Sequence, residues 1–247
     1  MKISIITVCY NSAMTIEKTI LSVANQTYKH IEYIIVDGKS KDATLFIIKK
    51  HEDKICKWVS ESDKGLYDAM NKGINLATGD LIGILNSDDT FASNTIIEEL
   101  VDFHTKYDVD ASVGDISQHT KTGKSLRLYS SKYWSPQKLR IGFMPPHPSI
   151  FFKKYLFDKF GVYHLDFKIG ADYELITRFF LKHKISWKYS SITTTEMLVG
   201  GLSSSGASSY KLITKEIKKA LKMNGIAFSP LKIRMRFMWK IIGFLRK

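Results

Sequence analysis

The chain has 247 residues, 44% of them hydrophobic and 12% aromatic, which suits one large domain or a domain with an appendage and excludes a disordered chain. Its two cysteines, Cys9 and Cys56, exclude a disulfide framework; both fall in apolar, strand-like runs and read as reduced, buried thiols in a reducing compartment. Of the net charge of +13, the segment from Lys211 to Lys247 carries +10, with Glu216 its only acid, which argues against a nucleic-acid enzyme with basic surface spread around its site.

The opening MKISIITVCYNS has too short an apolar run for a secretory leader, and no apolar run reaches the length of about 18 residues that a membrane span needs. Residues 3–8 (ISIITV) form a continuous apolar run, the pattern of a strand buried on both faces. Ile16, Ile20, Leu21 and Val23 mark a helix over 15–25. A second buried strand at 33–36 (YIIV) ends at Asp37-Gly38, and a short helix over 43–50 leads to a third strand at Lys57–Ser60. Leu66, Ala69, Met70, Gly73, Ile74 and Ala77 mark a helix closed by Gly79. Residues 81–85 (LIGIL) form a fourth strand ending at Asn86-Ser87-Asp88-Asp89. This alternation predicts an open, mostly parallel α/β sheet, in which ligands sit at the carboxyl ends of strands. Acids stand at two of those ends: Asp37, and the pair Asp88-Asp89.

The second half is less regular. Short strands are expected over 109–130, with a turn at Thr122-Gly123. PPHP at 145–148 forms a rigid loop, 172–183 a helix, and VGGLSSSGASS at 199–209 a flexible segment that is either a lid over a donor or a linker. Ser229-Pro230 is a good helix start, with Ser at the N-cap and Pro at the first helical position. On a helical wheel Lys232, Arg236, Lys240, Arg246 and Lys247 share one side and Leu231, Ile233, Phe237, Met238, Ile241, Ile242, Phe244 and Leu245 the other, with Arg234 off pattern. A basic amphipathic helix of this kind, with Trp239 near its polar edge, reads as a membrane-surface element or as a helix packed on the body or on a second subunit. The expected organisation is a catalytic domain over 1–206, with a nucleotide-binding half over 1–100 and an acceptor-side half over 101–206, followed by a basic helical tail over 207–247.

The acids carry the chemistry. A diphosphate leaving group is stabilised by a divalent cation, and Mg²⁺ or Mn²⁺ takes one or two carboxylates plus phosphate oxygens. Asp88 and Asp89 at a strand end suit that task, or cap the helix that follows.

Four strings, SIITVCYNSAMTIEKTILSVANQTY, IEYIIVDGKSKDAT, DAMNKGINLATGD and LIGILNSDD, in this order and spacing, resemble glycosyltransferase family 2, an inverting group with the GT-A fold. HPSIFF and GADYELITRFF resemble the family's acceptor-side segments, and SESDKGLYDAMNKGI resembles the bacterial enzymes that build colanic acid, capsule and O-antigen repeat units. The resemblance covers about residues 1–200 and fades in the tail. It implies a cytoplasmic enzyme, peripherally attached to the inner membrane surface through 230–247, that moves a sugar from a nucleotide diphosphate donor, a UDP-sugar, to a hydroxyl of a lipid-diphosphate-linked glycan, with no nucleic-acid partner.

The resemblance also implies roles for individual residues. Thr7 and Tyr10 line the nucleoside pocket, Asp37 bonds the uracil ring, Asp63 touches the nucleotide, and Asn71 and Lys72 contact the donor. The family's metal motif, Asp-x-Asp-Asp, reads Asn86-Ser87-Asp88-Asp89 here. Asn86 can still bond ribose, and Asp88 and Asp89 carry Mn²⁺ or Mg²⁺, either of them being the direct ligand. Asp172 matches the general base at a helix start, with the family's preceding acid replaced by Ala171, and Glu174 ranks behind it because it faces another direction. His147, in a stiff loop on the acceptor side, contacts the acceptor or the sugar or is a structural or solvent-facing histidine, while His164 and Asp166 are structural. A sugar nucleotidyltransferase and a noncatalytic nucleotide-sugar binding protein are the alternatives. The first needs a Gly-rich, Arg-containing phosphate loop where this chain has TVCYNSAMT, and the second needs no base.

Overall fold

The computed structural model describes residues 1–120, 124–199 and 207–236. The elements in chain order are β1 (Ile3–Cys9), α1 (Ile16–Ala24), β2 (Ile31–Asp37), α2 (Thr44–Lys50), β3 (Lys57–Ser60), α3 (Leu66–Leu76), β4 (Leu81–Ile84), β5 (Thr90–Phe91), α4 (Ile96–Tyr107), β6 (Ala111–His119), β7 (Ser125–Tyr129), β8 (Ile150–Lys153), α5 (Tyr155–Phe160), α6 (Ala171–Thr177), β9 (Trp187–Leu198) and α7 (Ala207–Met223). The expected Thr122-Gly123 turn and residues 200–206 of the Gly/Ser segment lie outside the described residues, as do 237–247 of the tail.

The chain divides into two compact units. The first is Met1–Lys132, Pro145–Tyr163 and Ser186–Val199, and it holds the whole sheet. Strands run in the order β3-β2-β1-β4-β8-β6-β9-β5, with β7 paired to β6. The first four sequence strands pair in parallel, as their continuous apolar runs predict. Beyond β4 the pairing turns antiparallel, through β8 to β6, before β6 and β9 run parallel. The sheet is therefore mixed, with the parallel run of strands that the sequence predicts confined to the first 84 residues.

Every residue of β1 is buried, because helices cover both faces of the strand. α1 buries Ile16, Ile20 and Val23, one stripe at helical spacing. α3 lies so close to β1 that a Cβ on Gly73 would stand 2.3 Å from Ile6 Cγ2, so the helix seats only because position 73 has no side chain. Cys9 is buried as expected. Cys56 is not: it is exposed just ahead of β3, because Ile55, and not its neighbour, points into the core.

The second unit comprises Tyr133–Met144, His164–Ile185 and, within the described residues, 207–236. It is helical. The helix expected over 172–183 forms as α6 followed by a π-turn over Arg178–Lys182, which His183 closes through its N–H on Arg178 O at 3.0 Å. Ser229 caps the last helix as its sequence predicts, with Lys232 N donating to Ser229 Oγ at 3.4 Å and Ile233 N to Ser229 O at 3.2 Å. The wheel is a poorer guide to this helix. Leu231, assigned to the apolar face, is 66% exposed, whereas Arg236, assigned to the basic face, is buried. Arg236 Nη1 donates to Gly142 O at 3.2 Å and the guanidinium covers the Tyr210 ring, so a specific acceptor and a ring outweigh amphipathic averaging.

Candidate active site

The first unit gathers its polar residues at the carboxyl ends of β1, β2 and β4. Tyr10, just past β1, is 59% exposed. A Cβ on Gly38 would stand 2.4 Å from Asp63 Oδ2 and 3.4 Å from Tyr10 Cδ2, so the side chains of Tyr10 and Asp63 converge over a backbone that only glycine leaves open. Gly65 N donates to Asp63 Oδ1 at 2.8 Å, which fixes the loop. The rim of Tyr10, Gly38 and Asp63 is half of what the sequence leads one to expect of a nucleoside pocket.

Two other residues of that expectation sit deeper. Thr7 is fully buried and its Oγ1 accepts the Tyr33 hydroxyl at 3.1 Å. Asp37 is fully buried too; Ser60 Oγ donates to Oδ2 at 2.6 Å, Ser40 N to Oδ2 at 3.1 Å, and Ser40 Oγ to Oδ1. Hydrogen bonds to a charged acceptor contribute about 1.5–3 kcal/mol each, enough to offset the burial of one carboxylate. Sequence reading missed Ser40 and Ser60, and no local signal marks Ser60, which comes from the neighbouring strand.

Asn71 and Lys72, expected at the donor, have other partners here. The Asn71 amide bonds the backbone of Tyr163 twice, from Nδ2 to its O and from its N to Oδ1, both at 2.9 Å. Lys72 Nζ lies 2.8 Å from Glu61 Oε1 and from Ser62 O, and the Glu61 carboxylate raises its pKa.

At the end of β4 the two acids part company. Asp88 is exposed. Asp89 is 1% exposed, receives Asn86 Nδ2 on Oδ2 at 3.0 Å and Leu198 N on Oδ1 at 3.3 Å, and holds α1 through Thr19 Oγ1 on its carbonyl at 2.8 Å. Burial foremost, then the charge of Asp88, raises the Asp89 carboxyl to about 7. Burial also raises the Asp88 carboxyl. Ser12 Oγ lies 2.8 Å from Ser87 Oγ and so ties the loop after β1 to the loop that carries the acids.

Among the described residues no three His, Cys, Asp or Glu side chains cluster around one point. A cation held by one or two carboxylates, with phosphate oxygens completing its shell, fits this donor set: an exposed hard oxygen on Asp88 beside the anchored Asp89.

His147, in a 3₁₀ turn over His147–Ser149, is half-buried, and burial lowers its pKa to about 4. The neutral ring shares a hydrogen bond between its Nε2 and the Tyr163 hydroxyl, 2.7 Å apart. Tyr163 stacks on Tyr67 at 5.6 Å between ring centres, so α3 positions this histidine through a residue that sequence reading did not single out.

In the second unit Asp172 is half-buried in the first turn of α6, and Tyr173 N donates to its Oδ1 at 2.7 Å. Glu174 does face another way. It is fully buried, receives Arg178 Nε and Nη2 at 3.0 Å each, and receives Asn224 Nδ2 at 3.0 Å from the end of α7. His164 Nε2 lies 3.9 Å from Glu174, and Asp166 pairs with Lys219 at 3.1 Å, both serving the packing of this unit.

Parallel strands thus end in a tyrosine rim and a pair of acids in the first unit. The chain belongs to glycosyl transferase family 2, whose model matches residues 4–164. It is 34% identical over 178 residues to an uncharacterized glycosyltransferase of Mycobacterium tuberculosis, covering 71% of this chain and 68% of that protein. It is 27% identical over 228 residues to a PGL/p-HBAD biosynthesis glycosyltransferase of Mycobacterium bovis, covering 90% and 84%. Among solved structures it is similar to Staphylococcus aureus TarS 1–349 in complex with UDP-GlcNAc, with a TM-score of 0.71, 18% identity, and 90% of this chain covered against 66% of that one. It is also similar to the mannosyltransferase PcManGT of Pyrobaculum calidifontis in complex with GDP-Man and Mn²⁺, with a TM-score of 0.66, 16% identity and coverage of 94% and 66%. The chain thus spans about two thirds of the length of those two solved chains. At such identities the likeness establishes the fold, which is GT-A.

Proposed function

We propose that this protein is an inverting glycosyltransferase that uses a metal-bound UDP-sugar. The observation that carries this reading is the split between Asp88, open to solvent, and Asp89, buried and anchored, at the end of β4. Asp88 would hold Mn²⁺ or Mg²⁺ directly while Asp89 fixes the loop; a bound cation would neutralise the charge that builds on the diphosphate. Asn86 reaches the ribose, and Tyr10 and Asp63 flank the nucleoside. Asp37 reaches the uracil ring only if Ser40 or Ser60 yields one of its bonds. Lys72 reaches the donor only by leaving Glu61, and Asn71 acts through Tyr163.

Asp172 takes the proton of the acceptor hydroxyl as that oxygen bonds to the anomeric carbon and the carbon–diphosphate bond breaks on the opposite face. His147, kept neutral and oriented by Tyr163, serves the acceptor side. Support for a UDP-sugar comes from the nucleotide carried by TarS, and support for the metal from the Mn²⁺ of PcManGT. The acceptor in this reading is a lipid-diphosphate-linked glycan of a bacterial surface polysaccharide. The catalytic domain is taken as 1–206 with its nucleotide half over 1–100, and 207–247 as a basic tail.

No described helix is long and apolar enough to cross a membrane. Attachment to the inner membrane surface is peripheral and rests on the basic amphipathic pattern of 230–247, of which Ile233 and Arg236 pack inward. The test is a donor panel: nucleotide sugars with Mn²⁺, scored for sugar release and for protection against thermal unfolding. One UDP-sugar should stand out. No response from any donor, or retained anomeric configuration in the product, overturns the reading.

A further inference from the structure

α7 carries its charges unequally around its axis. Lys211, Lys215, Lys218 and Lys222 follow one another at spacings of four, three and four, which places them on one stripe. The helix has one acid, Glu216, and that acid is turned away from the stripe and buried. Its carboxylate receives the N–H groups of Lys168, Ile169 and Gly170 at 2.8, 3.0 and 2.8 Å, ahead of α6. Like charges one turn apart destabilise a helix, and here the one side chain able to balance them is spent on backbone donors.

The stripe borders a cavity of about 1040 Å³. Arg234, from the helix that starts at Pro230, reaches the same cavity, and Lys219 does so while paired with Asp166. Tyr210, Thr214 and Met223 complete a lining that is mostly apolar. The Thr214 hydroxyl is shielded from water and has no hydrogen-bond partner. Among the described residues no carboxylate pairs with Lys211, Lys215, Lys218, Lys222 or Arg234, so five cations converge on one groove with no counter-charge.

Charge decides between the candidate occupants. The chain's own segment 237–247 carries Lys240, Arg246 and Lys247 and no acid, so it would be repelled. A neutral glycan gains nothing from the cations. An anion of two or more charges joined to an apolar group satisfies both the lysines and the lining. We propose that the α7 groove binds the diphosphate head of an amphiphile, and, resting on the reading above, that this is the carrier end of the acceptor. The groove shares no residue with the acids at the end of β4.

The experiment uses the full chain and farnesyl diphosphate as probe, followed by calorimetry at low and at physiological salt, with inorganic pyrophosphate and anionic vesicles as parallel arms. Farnesyl diphosphate should bind more tightly than pyrophosphate, and more weakly as salt rises. Lys215→Glu with Lys218→Glu should weaken it at least tenfold while UDP with Mn²⁺ binds within twofold of the parent. If that variant does not fold, Lys215→Gln with Lys218→Gln should give a smaller loss in the same direction. Equal binding by parent and variant overturns the proposal, as does equal affinity for pyrophosphate and farnesyl diphosphate. Loss of probe binding in Asp88→Ala instead would place the probe at the donor site and also overturn it. Binding to anionic vesicles without binding to the probe would make the stripe a membrane face and not a ligand groove. A donor panel without any response, beside intact farnesyl diphosphate binding, would sink the transferase reading and leave the groove standing.

Discussion

In the first unit the exposed charge at the strand ends is an acid, Asp88, while its neighbour Asp89 is drawn inside and held by Asn86 and Leu198. In the second unit both Glu174 and Glu216 are drawn inside, and the charges left at the surface of α7 are lysines. The same device, burying one acid on internal donors, thus leaves opposite signs facing solvent. In the proposed reading the exposed carboxylate takes a cation and, through it, a diphosphate, and the exposed lysine stripe takes the anion directly. Changes in the first unit should therefore affect donor binding and turnover together, and changes in the second should spare the donor.

The largest effect is expected at Asp88. Asp88→Ala should lower transfer by about 4 kcal/mol, roughly a thousandfold, with Mn²⁺-dependent UDP binding lost in parallel, and EDTA should have the same effect on the parent. Full activity in EDTA would remove the metal role. Next is Asp172→Asn, where kcat should fall by about 10²–10⁴-fold with donor affinity unchanged. A fall below tenfold, or a matching loss of donor binding, would blur the division between the units and reject Asp172 as the base.

Glu174→Ala removes the buried carboxylate that receives Arg178 and Asn224 and should cost about 3–5 kcal/mol of stability in denaturant unfolding. An unchanged midpoint would show that the second unit does not depend on this pair.

The smallest effect concerns pH. His104 on α4 is buried, and burial lowers its pKa from 6.5 to about 4. Its folded pKa lies below its unfolded one, so the unfolded chain binds the extra proton; its stability contribution is complete above about pH 6.5 and is lost as pH falls towards 4. His104→Gln should flatten the fall in stability across that window by about 3 kcal/mol relative to the parent. Asp89 shifts in the opposite sense but is common to both proteins, so the difference reports His104 alone. Parallel pH profiles would refute the assignment.

Local pattern determined much of the first unit. Continuous apolar runs gave β1, β2 and β4 their burial, turn residues ended them, and the acids after β4 fall at a strand end by pattern alone, because strand period and turn chemistry are short-range properties. Ser229-Pro230 announced a helix start for the same reason. Long-range contact decided the rest. Which of Asp88 and Asp89 meets solvent depends on Leu198, 109 residues away, and Asn71 is engaged by Tyr163, 92 residues away. Neither partner leaves a mark near the residue it holds. The burial of Arg236 and of Glu216 reverses what charge alone suggests, since a side chain turns inward wherever a carbonyl, a ring or a row of N–H groups repays its desolvation, and only the tertiary structure supplies those partners.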